Sequence, residues 1–105
     1  MLTEEVFNHI VAKLIDHNDQ LMEGKMMRSP ALKLNNKVVL FYHNDAMTFK
    51  FGKETELYKN QYPGSSYLSP FKNKPPMKGW LSIPQEFKGE WLKLSHKCIE
   101  INSHV

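Results

Sequence analysis

Three sets of residues in this chain carry side chains able to do chemistry. His43-Asn44-Asp45 sets an imidazole two residues from a carboxylate, the combination that general acid–base catalysis uses to orient a base. Asn and Asp are also the residues that a hairpin tip selects, and the turn reading takes precedence. Cys98 is the single cysteine and falls on an apolar helical stripe, where a thiol serves as a small core residue more often than as a nucleophile. The histidines at 9, 17, 43, 96 and 104 include no pair four residues apart, so no helix face presents two imidazoles to a metal, and no metal site is expected. Ser29, Ser65, Ser66 and Ser69 lie in turn-rich contexts outside any Gly-x-Ser-x-Gly elbow, and Glu54 and Glu56, two apart on a short helix, diverge. None of the five glycines builds a phosphate-cradling loop. The reading is of a chain without catalytic residues, metal or cofactor.

The remaining chemical signal is basic residues near aromatics. Lys25, Arg28, Lys33 and Lys37 surround the first hairpin, and Lys72, Lys74 and Lys78 lie near Tyr67, Phe71 and Trp80. Such interleaving suits single-stranded nucleic acid, which stacks on aromatic faces and follows a positive groove. A solvated lysine face over an aromatic core has the same sequence signature. The net charge is only +3, and Arg28 is the sole arginine among 14 basic residues, which weighs against bidentate base readout.

The elements that must position these residues fit one domain. A chain of 105 residues can bury about two-thirds of its unfolded surface around a single core, and 41% apolar with 24% charged residues is ordinary globular composition. One cysteine permits no internal disulfide, which suits a reducing compartment. The N-terminal stretch opens with acids and lacks an uninterrupted apolar segment, so it does not read as a signal peptide, and no apolar run is long enough to span a bilayer. A cytoplasmic protein is expected, with no membrane partner.

Apolar residues at spacings of three and four over residues 3–22 predict an amphipathic helix, capped by Thr3 and stopped by Gly24. The period then becomes two. Leu32 and Leu34 oppose Lys33, Asn35-Asn36 suits a two-residue hairpin, and residues 37–43 form an apolar central strand. Asn44-Asp45 turns the chain into a third strand in which Met47, Phe49 and Phe51 alternate with Thr48 and Lys50. A short helix within 53–60 turns Leu57 and Tyr58 inward, and the proline-rich stretch 62–79 reads as an ordered loop held by Tyr67, Leu68 and Phe71. A strand over 80–83 ends at Pro84, and a second long helix over 86–101 buries Phe87, Trp91, Leu94, Cys98 and Ile101. The predicted fold is α+β: an antiparallel sheet, a three-stranded meander plus a later strand, with N- and C-terminal helices packed on it.

Three motifs in this order resemble one family. Lys25, Met26, Ser29, Pro30, Leu32, Lys33, Lys37 and Val38 match a basic-Met-Phe-Gly-Ser-Pro-x-Leu-Lys-x-x-Gly-Lys-Val stretch of the N-terminal domain of TfoX/Sxy-like competence regulators. The segment PMKGWLSIP, residues 76–84, is similar to that family's Pro-Met-x-x-Trp strand, and EWLKLSHKCIEI to its closing helix. Met27 and Arg28 stand where the family tends to have Phe-Gly, and Asn36 replaces its turn glycine, as a residue tolerant of positive φ can. The resemblance covers nearly the whole chain. It implies a stand-alone TfoX N-terminal-like domain over residues 1–105, related in fold to YjbR-type and secretion-chaperone domains, without the helical C-terminal domain of full-length regulators. It transfers no catalytic residues.

The expected function is therefore that of a small non-enzymatic bacterial protein, an accessory or regulatory module acting through a protein partner. The surface expected to serve is the first hairpin with the 62–79 loop, and an exposed sheet edge offers a route to a homodimer. Nucleic-acid binding through Lys25, Arg28, Lys33, Lys37, Lys72, Lys74 and Lys78 is the alternative.

Overall fold

The computed structural model describes residues 2–68 and 77–103. Helix α1 spans Thr3–Asp16, and the strands β1 (Leu21–Met26), β2 (Ser29–Leu34), β3 (Lys37–His43) and β4 (Ala46–Lys50) follow as an antiparallel meander. A single helical turn, α2 (Glu56–Lys59), leads to β5 (Ser66–Tyr67). Strand β6 (Trp80–Pro84), a 3-10 segment over Gln85–Glu90 and helix α3 (Trp91–Asn102) complete the chain. All pairings are antiparallel, in the spatial order β1-β2-β3-β4-β6-β5. This is the α+β class read from the sequence, with a larger sheet.

Both helices lie on one face. Phe7, Ile10, Val11 and Leu14 of α1 and Trp91, Leu94 and Cys98 of α3 pack on Leu32, Leu34, Leu40, Met47, Phe49, Leu81 and Ile83. The opposite face carries a second cluster, Ala31, Phe41 and Trp80, against which Met26, Val38, Leu68 and Met77 pack. Thr48 is 1% exposed on that face, and its buried hydroxyl is satisfied by Ser82 Oγ at 2.7 Å. The middle of the sheet is thus buried on both sides.

A bulge between β2 and β3 decides how α3 seats. Leu32 pairs with Leu40 and Lys33 with Val38, so Val39 is an extra residue, and Val39 and Leu40 both enter the helix-side core. The Val39 carbonyl accepts from Cys98 Sγ at 3.2 Å, and Trp91 Nε1 donates to the Ile83 carbonyl at 3.1 Å. These two bonds hold α3 against strands on either side of β4.

Several sequence expectations are corrected. The first helix ends at Asp16, not near Met22: Asn18 Oδ1 accepts from the Gln20 amide at 2.9 Å, a local side-chain turn that competes with helix continuation. Leu21 and Met22 belong to β1, so the meander has four strands. Gly24 is not a helix stop but an interior strand residue over which the Lys33 stem passes, so an added β-carbon would displace that stem. Leu2, not Thr3, is the N-cap residue of α1, with its amide bonded to the Glu5 carboxylate. The last helix begins at Trp91 because Phe87 has φ −110° and ψ 23° and breaks the run. Ser66 and Tyr67 pair with Ser82 and Leu81 as a strand where a loop is expected. The Phe71 anchor lies outside the described residues.

The turn between β1 and β2 is Met27-Arg28, with φ of +48° and +73°. Asn36 makes the same demand at the next hairpin, with φ +70°, and meets it with a residue suited to it. Arginine is not so suited. Arg28→Gly is expected to stabilise the fold by about 0.5–1 kcal/mol in urea unfolding, the relief of left-handed strain exceeding the added chain entropy.

Candidate functional site

Strand β1 is an edge. Met26 and Ser29 flank a two-residue turn and so exchange both backbone hydrogen bonds, and the alternation continues through Gly24 and Met22. It ends at Gln20, whose carbonyl accepts from the Asn35 amide at 3.0 Å. Glu23 and Lys25 therefore turn their N–H and C=O groups away from β2, and among the described residues no strand pairs with them. Leu21 is taken care of locally, its amide bonded to the Asn18 carbonyl at 3.2 Å.

The surroundings of this edge are apolar and open. Met22 is 50% exposed and Met27, at the hairpin tip, 53% exposed, two of the large apolar side chains most open to solvent. A groove of about 360 Å³ runs between α1 and β1, lined by Phe7, Val11, Glu23, Lys25 and Pro30. A strand with the main-chain groups of Glu23 and Lys25 turned outward beside such a groove can accept an extended polypeptide through main-chain bonds.

The basic residues do not converge. In the β1–β2 hairpin Lys25 opposes Pro30, on the helix side, whereas Lys33 lies on the opposite face with Ala31. Arg28 sits at the hairpin tip, and Lys37 opposes Leu34 at the far end of β2, roughly 20 Å of strand away. Lys78 precedes β6 at the same end as Lys37 and Lys50, two strands further across the sheet. Lys72 and Lys74 lie outside the described residues. Tyr67, expected beside them, packs on Tyr58 with ring centroids 5.0 Å apart and is 37% exposed.

The chemically suggestive HND tripeptide is split by the turn that begins after His43. His43 Nδ1 lies 3.0 Å from Ser29 Oγ, across the tips of two neighbouring hairpins. Asp45 instead accepts from Thr3 Oγ1 and Tyr42 OH, at 2.5 and 3.0 Å, on the side that α1 covers. A serine and an imidazole meet, but the carboxylate that would orient the base is engaged elsewhere.

Thr3, Tyr42 and Asp45 form a closed set of their own beside a recess of about 370 Å³ that Gln85 and Lys88 also line. Thr3 and Tyr42 are themselves 2.5 Å apart. Two hydroxyl protons cannot serve all three oxygen–oxygen contacts at once: with both directed at Asp45, the short Thr3–Tyr42 contact carries no proton of its own. The bond from Thr3, and then that from Tyr42, hold the Asp45 carboxyl below its usual 3.8. Burial, and then the hydrogen bond to Asp45, raise the Tyr42 phenol above its usual 10.0. The network pins the β3–β4 hairpin to the start of α1. Sequence reading missed it because Thr3 and Tyr42 look like a cap and a core aromatic, and only the fold brings residues 39 and 42 positions apart together.

Cys98 is fully buried, and burial pushes its thiol up to about 12. Among the described residues no three His, Cys, Asp or Glu side chains cluster as metal ligands, and no helix is long and apolar enough to cross a membrane.

In comparisons with known proteins, no family model, curated protein or solved structure matches this chain.

Two titrations follow from these environments. The Asp45 carboxyl should titrate below 3.8 in a carbon-detected NMR series, and Thr3→Ala should move it back up. Because the folded pKa is the lower one, the stability this carboxylate contributes is whole above about pH 4 and is lost as the pH falls through the folded value. Cys98 has the opposite sign. Its protonated form stabilises the fold below the ordinary 9.0, and that contribution is lost as the pH rises toward 12. The native protein should therefore resist a thiol reagent at pH 8 and react once per chain when unfolded.

Proposed function

We propose that this chain is a non-catalytic protein-interaction module of the bacterial cytoplasm, accessory or regulatory in role, that presents β1 to an extended segment of a partner polypeptide. The observation that carries this reading is the outward-facing N–H and C=O pairs of Glu23 and Lys25 on a six-residue edge strand. The apolar groove under α1 and the exposed Met22 and Met27 supply side-chain contacts around those main-chain bonds. A single buried thiol suits a reducing compartment.

The likeness to TfoX-type N-terminal domains gains support at one position. The family pattern has glycine where Arg28 stands, and Arg28 holds φ at +73°, a conformation that glycine adopts freely. The motif then reads as the hairpin that ends the edge strand. Among the described residues, Lys25, Arg28, Lys33, Lys37 and Lys78 are dispersed over two faces and both ends of the sheet and line no continuous groove, so the edge strand is preferred to the lysines as the site.

Lys25→Pro tests the edge. It removes an outward amide and leaves the β1–β2 ladder intact, since that ladder uses Gly24 and Met26. Selection of a random peptide library on the immobilised wild-type protein should enrich extended apolar sequences, and the enriched peptides should lose at least about tenfold in affinity for the variant. Equal binding to both proteins, or no enrichment, would overturn the reading. So would saturable single-stranded DNA binding that collapses between about 50 and 200 mM salt, which would restore the lysines to the site.

A further inference from the structure

We infer that the polypeptide received by β1 is a second copy of the same chain, paired antiparallel about a two-fold axis at Gly24. This rests on the reading of β1 as an interaction edge and names its occupant.

Charge selects the partner and the register. Among the described residues, only Glu23 and Lys25 of β1 have both backbone groups without a strand partner, so hydrogen-bonded pairs across the edge are drawn from these positions. A two-fold antiparallel pairing centred on residue 23 sets Glu23 against Glu23 of the other copy, and one centred on residue 25 sets Lys25 against Lys25. Centring on Gly24 sets Glu23 against Lys25 twice over, by symmetry. It is the one register of the three in which every charged cross-strand pair is attractive.

The residues between those pairs fit the same arrangement. Gly24 then meets its own copy at the axis as a non-hydrogen-bonded pair, where strands approach most closely, roughly 4.5 Å between Cα atoms. It carries no side chain of its own, and the Lys33 stem that passes over it is a flexible chain that can shift aside. Met22, half exposed in the single chain, comes opposite Met26 of the other copy, so the main apolar exposure of the strand is covered by its own sequence. Glu23 and Lys25 lie on the side of α1, along the open groove, which leaves their side chains space to reach across. The two six-stranded sheets would become one continuous sheet with the short β5 at each outer end.

Sedimentation velocity on the full chain, over about a hundredfold range of concentration, reads this directly. The wild-type protein should show a concentration-dependent dimer. Glu23→Lys and Lys25→Glu, each of which makes both symmetric pairs repulsive, should weaken it by at least about tenfold. The double variant E23K/K25E, with the pairs reversed, should dimerise again; because both positions are solvent-exposed, far-UV circular dichroism should show the native fold in all three. A wild-type protein that stays monomeric, or single variants that dimerise as well as the wild type, would overturn the inference. A monomer that still captures peptides in a manner abolished by Lys25→Pro would retain the edge as a protein-binding site while removing self-pairing, so the two failures are distinguishable.

Discussion

The carbonyl of Val39 is the point on which this fold turns. A bulge on β3 leaves Val39 opposite no residue of β2, and an extra residue in a buried strand creates a main-chain acceptor that must be bonded away from water. The Cys98 thiol reaches from α3 to the carbonyls of Val39 and Lys50, at 3.2 and 3.5 Å, so the last helix seats on the bulged part of the central strand and on the end of β4 together. The same bulge turns Val39 and Leu40 together into the helix-side core and returns Phe41 to the opposite face, where it meets Trp80 at 5.6 Å between ring centroids. A regular strand would alternate Val39 and Leu40 between the two faces.

Around that centre the sheet runs from a six-residue edge strand, β1, to a two-residue one, β5. Three successive two-residue turns, Met27-Arg28, Asn35-Asn36 and Asn44-Asp45, all left-handed, fold residues 21–50 into a meander without crossovers. The last of these turns is fastened to α1 by Thr3 and Tyr42. Among the described residues the first has no bond to a helix, and its strand forms one edge of the sheet. A long edge strand invites pairing, and charged residues are the usual means of restricting which pairings occur. Glu23 and Lys25, of opposite sign and two residues apart, restrict without forbidding.

The split of the His43-Asn44-Asp45 tripeptide shows why residue proximity in sequence is weak evidence for catalysis. His43 is the last residue of β3 and Asp45 belongs to the left-handed turn after it, where strand alternation no longer holds, so His43 meets Ser29 on one face while Asp45 meets Thr3 on the other. What looks like a base with its orienting carboxylate becomes two separate structural bonds. The interaction reading depends instead on main-chain groups, which no residue type announces.

By itself the sequence determined the α+β class, the bounds of β3 at Lys37–His43, the asparagine-bearing turns on either side of it and the burial of Cys98. Each is a local matter, since period, β-branching and tolerance of positive φ are properties of residues and their near neighbours. Only the tertiary structure decided that Leu21 and Met22 leave the helical period for an edge strand, that Met27 and Arg28 adopt left-handed turns which their types disfavour, and that β5 exists. Those outcomes follow from pairing with β2 and β6, and pairing energy between distant segments outweighs the fraction of a kcal/mol by which a residue prefers one local conformation to another. The candidate site belongs to this second group: an unpaired edge is defined by where the sheet stops.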